Sequence, residues 1–363
     1  MVGAADPVDW RLAERVAKRV GGHEPFLDSY HYRSLAPELA EYTAQAEEMV
    51  AAETGLKSMS GAARAQVTTR AGWVDANVAS FQRLLRPVTA KMAERVATSW
   101  FAPVAQRVSG TEMGAVLGWM STRVLGQYDL LIIEDDRPED QDMVYYVGPN
   151  VMALEHKHGF DPRQFRLWLA LHETTHRAQF TGIEWLRPHF LALVQEALDA
   201  AEPDLEHFKQ VAKQVMEARR RGDDLLADGG LPALLATPEQ KVVLDRIGGM
   251  MSLLEGHGDI TMDRAGADHI PDATRFARVL RHRRNSAKGV SKLIQRIIGI
   301  EAKLNQYAAG EAFIETVESR GGPELLNRVW ESSERLPTMT EIRNPQQWID
   351  RVNGSASSSN GQG

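Results

Sequence analysis

The stretch "WLALHETTHRAQF", residues 168–180, places two histidines four residues apart, His172 and His176, with Glu173 directly after the first. It lies in a run that reads as a strong amphipathic helix. Asp161 stands where an N-cap is wanted, Pro162 occupies the first helical position, and apolar residues recur three and four apart as far as Phe180. Leu167, Leu171 and Ala178 share the side of the histidines, so that side is expected to be buried. Residues i and i+4 of a helix lie one turn apart on one face, and both imidazoles can therefore address one ion. Glu173 is rotated by about 100° from His172, out of line for obligatory ligation yet within reach of a water held by that ion.

The 363 residues include no cysteine, which removes disulfides, thiolate metal sites and a cysteine nucleophile and leaves any metal to His, Asp or Glu. His-Glu-x-x-His is the arrangement of zinc peptidases, whose catalytic sites use three protein ligands and keep a fourth position for water. A buried histidine is also an ordinary core residue, so the metal reading depends on a third ligand. Glu255, within "SLLEGHGDITMD" at 252–263, is the candidate. Asp259 follows it by one helical turn and is placed to accept the outward N–H of a ligating histidine. Gly256 and Gly258 mark a close approach of backbone, and His257 between them is a rival ligand.

Elsewhere the sequence is mostly helical in period. A first helix opens on Asp6 and Pro7, with Val8, Leu12, Val16 and Val20 as its apolar stripe and Gly21 and Gly22 as its stop. Further helical stretches cover about 35–54, 72–107 with interruptions at Pro87 and Pro103, 111–126, 184–200 and 203–221. Thr237, Pro238 and Gln240 start another helix, which carries Glu255, and helices continue to about 334. The pattern turns to strands once, in "YDLLII" at 128–133 and "MVYYVGPNV" at 143–151, separated by the acidic loop at 134–142. Tyr145 and Tyr146 read as sheet packing, and the strand at 143–148 is expected to be an exposed edge along which an extended peptide lies.

The division expected is a helical N-terminal region at 1–127, a metal-binding region at 128–350 sharing one core with it, and a tail at 351–363, because "NGSASSSNGQG" has the composition of disorder. A net charge of -7 argues against nucleic-acid binding. The basic clusters at Arg219–Arg221 and Arg281–Arg284 are read as solvated helix ends. No apolar run is long enough to span a bilayer and no secretory start is evident, so a cytoplasmic location without membrane attachment is expected. Nothing in the sequence fixes an oligomeric state.

Taken together, "HETTHRAQF" at 172–180, "YYVGPNV" at 145–151, "LLEGHGDITMD" at 253–263 and "KLNQYAAGEAF" at 303–313 resemble the zincin-like metallopeptidase family, over about Trp73 to Tyr307. The resemblance is nearest to the branch associated with genes for the deazaflavin redox coenzyme. It implies a mainly α (α+β) zincin-like fold with a small sheet beside the metal-binding helix. It also implies zinc held by His172, His176 and Glu255, with Glu173 as general base. The Glu255/Asp259 pair resembles the corresponding pair of gluzincins, which supports Asp259 behind a ligand. Gluzincins also steady the oxyanion with a His or Tyr that no position matches here, which leaves His269, His282 and Tyr307 as candidates. The activity implied is zinc-dependent hydrolysis of a peptide or protein; the alternative is a non-catalytic binding or regulatory protein on the same fold. No phosphate-binding glycine motif follows a strand, so coenzyme binding is not expected.

Overall fold

The structure is a computed structural model, and it describes residues 7–86, Thr89, 102–128, 142–199, 237–285 and 300–359. Those residues are mainly helical with one three-stranded sheet. The expected strand at 129–133, the acidic loop up to 141, the helix at 203–221 and Arg219–Arg221 lie outside them. The chain divides into two compact units, Met1–Gly182 with Thr261–Asn285, and Ile183–Ile260 with Ser286–Gly363.

The first unit opens with α1 (Trp10–Gly21) and α2 (Tyr30–Thr54), then β1 (Arg64–Thr68), α3 (Arg70–Leu84) and α4 (Ala102–Ser121). The cap of α1 is Asp9, whose carboxylate accepts the Leu12 N–H at 2.9 Å, and not Asp6. Its buried face is Trp10, Ala13, Ala17 and Gly21, while Val20 is 45% exposed. The reason is the partner helix. A Cβ on Gly110, Gly114 or Gly118 of α4 would stand only 2.4–2.5 Å from the backbone oxygens of Asp9, Ala13 and Ala17. Two backbones this close need small residues on both sides, and that requirement rotates α1 away from its apparent valine stripe. Trp10, Trp73, Val74, Val78, Leu117 and Val147 close the core beside this crossing. Glu24 receives the N–H groups of Arg70 and Ala71 and neutralises the start of α3.

The sheet continues with β2 (Gly126–Tyr128) and β3 (Met143–Val147), in the order β1-β3-β2. β1 runs parallel to β3 and β2 antiparallel to it. The stretch expected as an edge is therefore the central strand, because β1, whose "RAQVT" offers only Ala65 and Val67 as an apolar pair, pairs along its other side. Among the described residues β1 and β2 are the edges. Tyr146 on β3 is fully buried, hydrogen-bonds Thr43 of α2 at 2.7 Å, and burial holds its phenol far above the ordinary range. It packs in the sheet as its sequence position suggested.

After β3 come α5 (Gly148–His158), α6 (Pro162–Gly182) and, beyond the second unit's first helices, α9 (Ala273–Asn285). Phe160, Phe165, Trp168 and Phe276 pack ring to ring and fix α9 against α6. Arg283 on α9 is not a solvated helix end. Its guanidinium donates to the carbonyls of Thr122 and Arg123, beyond the end of α4, and burial together with Arg123 and Arg70 pushes its pKa down to about 10.

The second unit holds α7 (Leu186–Asp199), most of α8 (Pro238–Gly266), α10 (Ile300–Asn327), α11 (Met339–Arg343) and α12 (Pro345–Ser359). α8 begins as expected, with Thr237 and Gln240 exchanging side-chain and backbone hydrogen bonds. Gly256 of α8 and Gly310 of α10 touch backbone to backbone. α10 breaks at Gly321 and Gly322, the latter at φ 70°, before Pro323. Trp348 of α12 is fully buried against Phe313, with its indole N–H on the Arg335 carbonyl, and Val352 is buried one turn on. This anchorage starts a helix that extends through Ser359, into residues whose composition suggested a tail. Among the described residues no helix is long and apolar enough to cross a membrane.

Two glycines separate packing from propensity. Gly114→Ala should lower unfolding free energy by about 1–3 kcal/mol, because its Cβ has no room beside Ala13. Gly354→Ala, in open space on α12, should raise it by up to about 1 kcal/mol. Urea unfolding of the two variants checks this, and equal midpoints would contradict the close crossing of α1 and α4.

Candidate metal centre

The site is built on α6. Asp161 accepts the Gln164 N–H at 3.0 Å as the cap the sequence called for. From Phe165 to Thr181 only His172 and His176 are not fully buried, so the helix is enclosed well beyond the expected apolar face. Its buried charges and threonine hydroxyls each have a destination. Thr174 and Thr175 donate back to Ala170 and Leu171 carbonyls at 2.6 and 2.7 Å. Arg166 forks onto Glu155 and pairs with Glu38. Arg177 binds Glu47, Asp142 and the Gly61 carbonyl. Paired on this scale, two arginines can be buried without a stranded charge.

The rings of His172 and His176 stand 4.6 Å apart, nearly perpendicular. Between them in sequence, Glu173 turns to β2. Its Oε2 accepts the Tyr128 N–H at 3.0 Å. A Cβ on Gly126 would lie 2.6 Å from Oε1 and 2.8 Å from Cδ, so the carboxyl group rests against bare backbone that any side chain would obstruct. His176 Nδ1 lies 3.0 Å from Oε1 of Gln179, one turn further along the helix and completely buried.

Glu255 arrives on α8. The last turn of that helix, Thr261–Gly266, belongs to the first unit, where Gly266 lies against Leu171 of α6, one residue before His172. One ligand atom from each of His172, His176 and Glu255 lies within 4.8 Å of the others, and all three residues are half-buried. Two imidazoles and a carboxylate match the donors zinc takes in catalytic His-His-Glu sites, and no cysteine competes. The residues fit the ion.

The other sequence candidates are placed differently. His257 is buried edge-on to the Trp330 ring, with centroids 5.2 Å apart, and does not join the group. Asp259 is half-buried one turn beyond Glu255. His269 and His282 are exposed and outside the group. Tyr307 lies on α10, with its side chain outside the described residues. Gln179, Gly126 and the Tyr128 amide went unread. Gln179 was visible three residues after His176, but nothing in sequence brings residues 126–128 to Glu173.

Comparison with known proteins agrees with the fold. No curated protein matches the chain. A crystal structure described as a "putative hydrolase with a novel fold from Chloroflexus aurantiacus" is similar at 30% identity and a TM-score of 0.70, over 95% of this chain and 99% of that one. The pattern of the zincin-like metallopeptidases matches residues 8–349. That match reaches the family and does not extend to the deazaflavin-associated branch. Sequence pattern, helical fold and structural likeness agree, and the chain belongs to the zincin-like metallopeptidase family.

Proposed function

We propose that the protein is a zinc-dependent hydrolase cleaving peptide bonds, with His172, His176 and Glu255 as metal ligands and Glu173 as general base. The observation that carries this reading is the convergence of those three ligand atoms at α6, where Glu173 adjoins His172 in sequence. Zinc held there would supply a water acidified to a pKa near 7 and a Lewis acid for the scissile carbonyl. Glu173 would take that water's proton and return it to the leaving amine. Its hold on the Tyr128 amide limits the carboxylate's wandering, so the proton acceptor is presented from one side. Among the described residues β2 is the edge strand that meets Glu173, and an extended substrate is proposed to lie along it and not along the central β3. Asp259 is proposed to orient a ligand from behind. The half-buried ligands give a substrate access to the site.

The reading is tested by zinc per chain, measured by elemental analysis on protein purified without added metal. About one zinc in the parent is expected, reduced in Glu255→Ala and in His172→Ala. A parent that holds no zinc even after its addition would overturn the proposal. Turnover is tested with a mixed fluorogenic peptide library. Glu173→Gln should keep the zinc and lose hydrolysis by about 10²–10⁴-fold, and undiminished cleavage would remove Glu173 from the mechanism.

Gly126→Ala probes the same carboxylate from the other side. The added methyl displaces Glu173 without touching a ligand, so zinc should stay bound while cleavage falls by about tenfold to a hundredfold. Unchanged cleavage would show that the contact with β2 does not position the base.

A further inference from the structure

We infer that Gln179 is a positioning residue for the metal centre, and that it sets the tautomer of His176. The inference rests on the zinc reading above and adds a residue to it. Gln179 is fully buried, and its Oε1 lies 3.0 Å from His176 Nδ1. A carboxamide oxygen only accepts, so the Nδ1 facing it carries the proton and Nε2 keeps its lone pair. That lone pair is what a zinc ligand must offer. With the opposite amide orientation the NH₂ group would donate to Nδ1, the proton would move to Nε2, and His176 would have no lone pair for metal there.

Spacing makes the contact local. Gln179 follows His176 by three residues on α6, where side chains of one face meet, and needs no other element to reach it. The acidic candidate for this kind of task, Asp259, sits on a different helix. Gln179 supplies the acceptor without a charge, which orients the ring and raises the basicity of Nε2 less than a carboxylate would.

Two substitutions isolate the acceptor. Gln179→Met keeps length and apolar bulk and deletes it; Gln179→Glu keeps it and adds charge. Zinc Kd is read on the full chain by competition with a chromophoric chelator, and the His176 tautomer is read on metal-free protein by ¹⁵N-correlated NMR of the imidazole. In the parent the proton should be on Nδ1. Gln179→Met should weaken zinc binding about 10–100-fold and mix the tautomers, whereas Gln179→Glu should bind at least as tightly as the parent. A parent ring protonated at Nε2, or a folded Gln179→Met with parental Kd, would overturn the inference and leave the zinc reading standing. A parent without zinc affinity would overturn the zinc reading, while the NMR result would still decide what Gln179 does. If Gln179→Met does not fold, the parent tautomer and the Gln179→Glu Kd decide between the outcomes.

Discussion

A helix enclosed on nearly every side must find partners for the charges it carries, and the first unit is arranged around that demand from α6. An unsatisfied buried donor or acceptor costs about 1–3 kcal/mol, and a stranded charge costs more. Arg166 draws in Glu38 of α2 and Glu155 of α5, and Arg177 draws in Glu47 of α2 and Asp142 just before β3. The helix is thereby fixed at both ends of its histidine segment by charge pairs that cannot slide without losing several hydrogen bonds together. The same demand holds Glu173 on the Tyr128 amide and His176 on Gln179. Placement of Glu173 and His176 follows from the rule that buries the helix.

How much of this could be read in the sequence depends on distance along the chain. Signals carried within one turn were legible: Asp161 and Thr237 cap as expected, and the His172/His176 spacing gives two rings on one face. The close backbone approach beside Glu255 was legible as well, because its flanking glycines mark one, and Gly256 does meet Gly310. Features set by a distant partner were not. The stripe of α1 pointed to its valines, yet the glycines of α4 select Ala13 and Ala17 instead. β1 has only Ala65 and Val67 as apolar residues and its partner strand lies far along the chain, so its pairing with β3, and the resulting central place of β3, had little local signal. Arg283 looked like a solvated charge because the carbonyls it serves lie on another element.

Glycine does a different job at each close approach. Along α4 it lets two helices pack at backbone distance, and between α8 and α10 it does so again. At Gly126 the approaching group is a carboxylate, and the missing side chain makes room for that group in place of a helix backbone. These cases look alike in sequence. They differ only in what stands 2–3 Å from the absent Cβ, which is why Gly126 escaped notice while Gly256 did not.

Charge balance gives a reason for an amide at residue 179. A divalent zinc held by two neutral imidazoles would already face the carboxylates of Glu255, Glu173 and the proposed Asp259, and half-buried surroundings penalise any further excess. Arg177 adjoins His176 in sequence but is already matched by Glu47 and Asp142, so it offers no spare positive charge to balance a further carboxylate. A further carboxylate behind His176 would fix the tautomer equally well and leave the site more negative, which strengthens the hold on the cation while weakening its pull on a water and a carbonyl. Gln179 fixes the ring and adds no charge, the arrangement suited to a metal that must remain a strong Lewis acid.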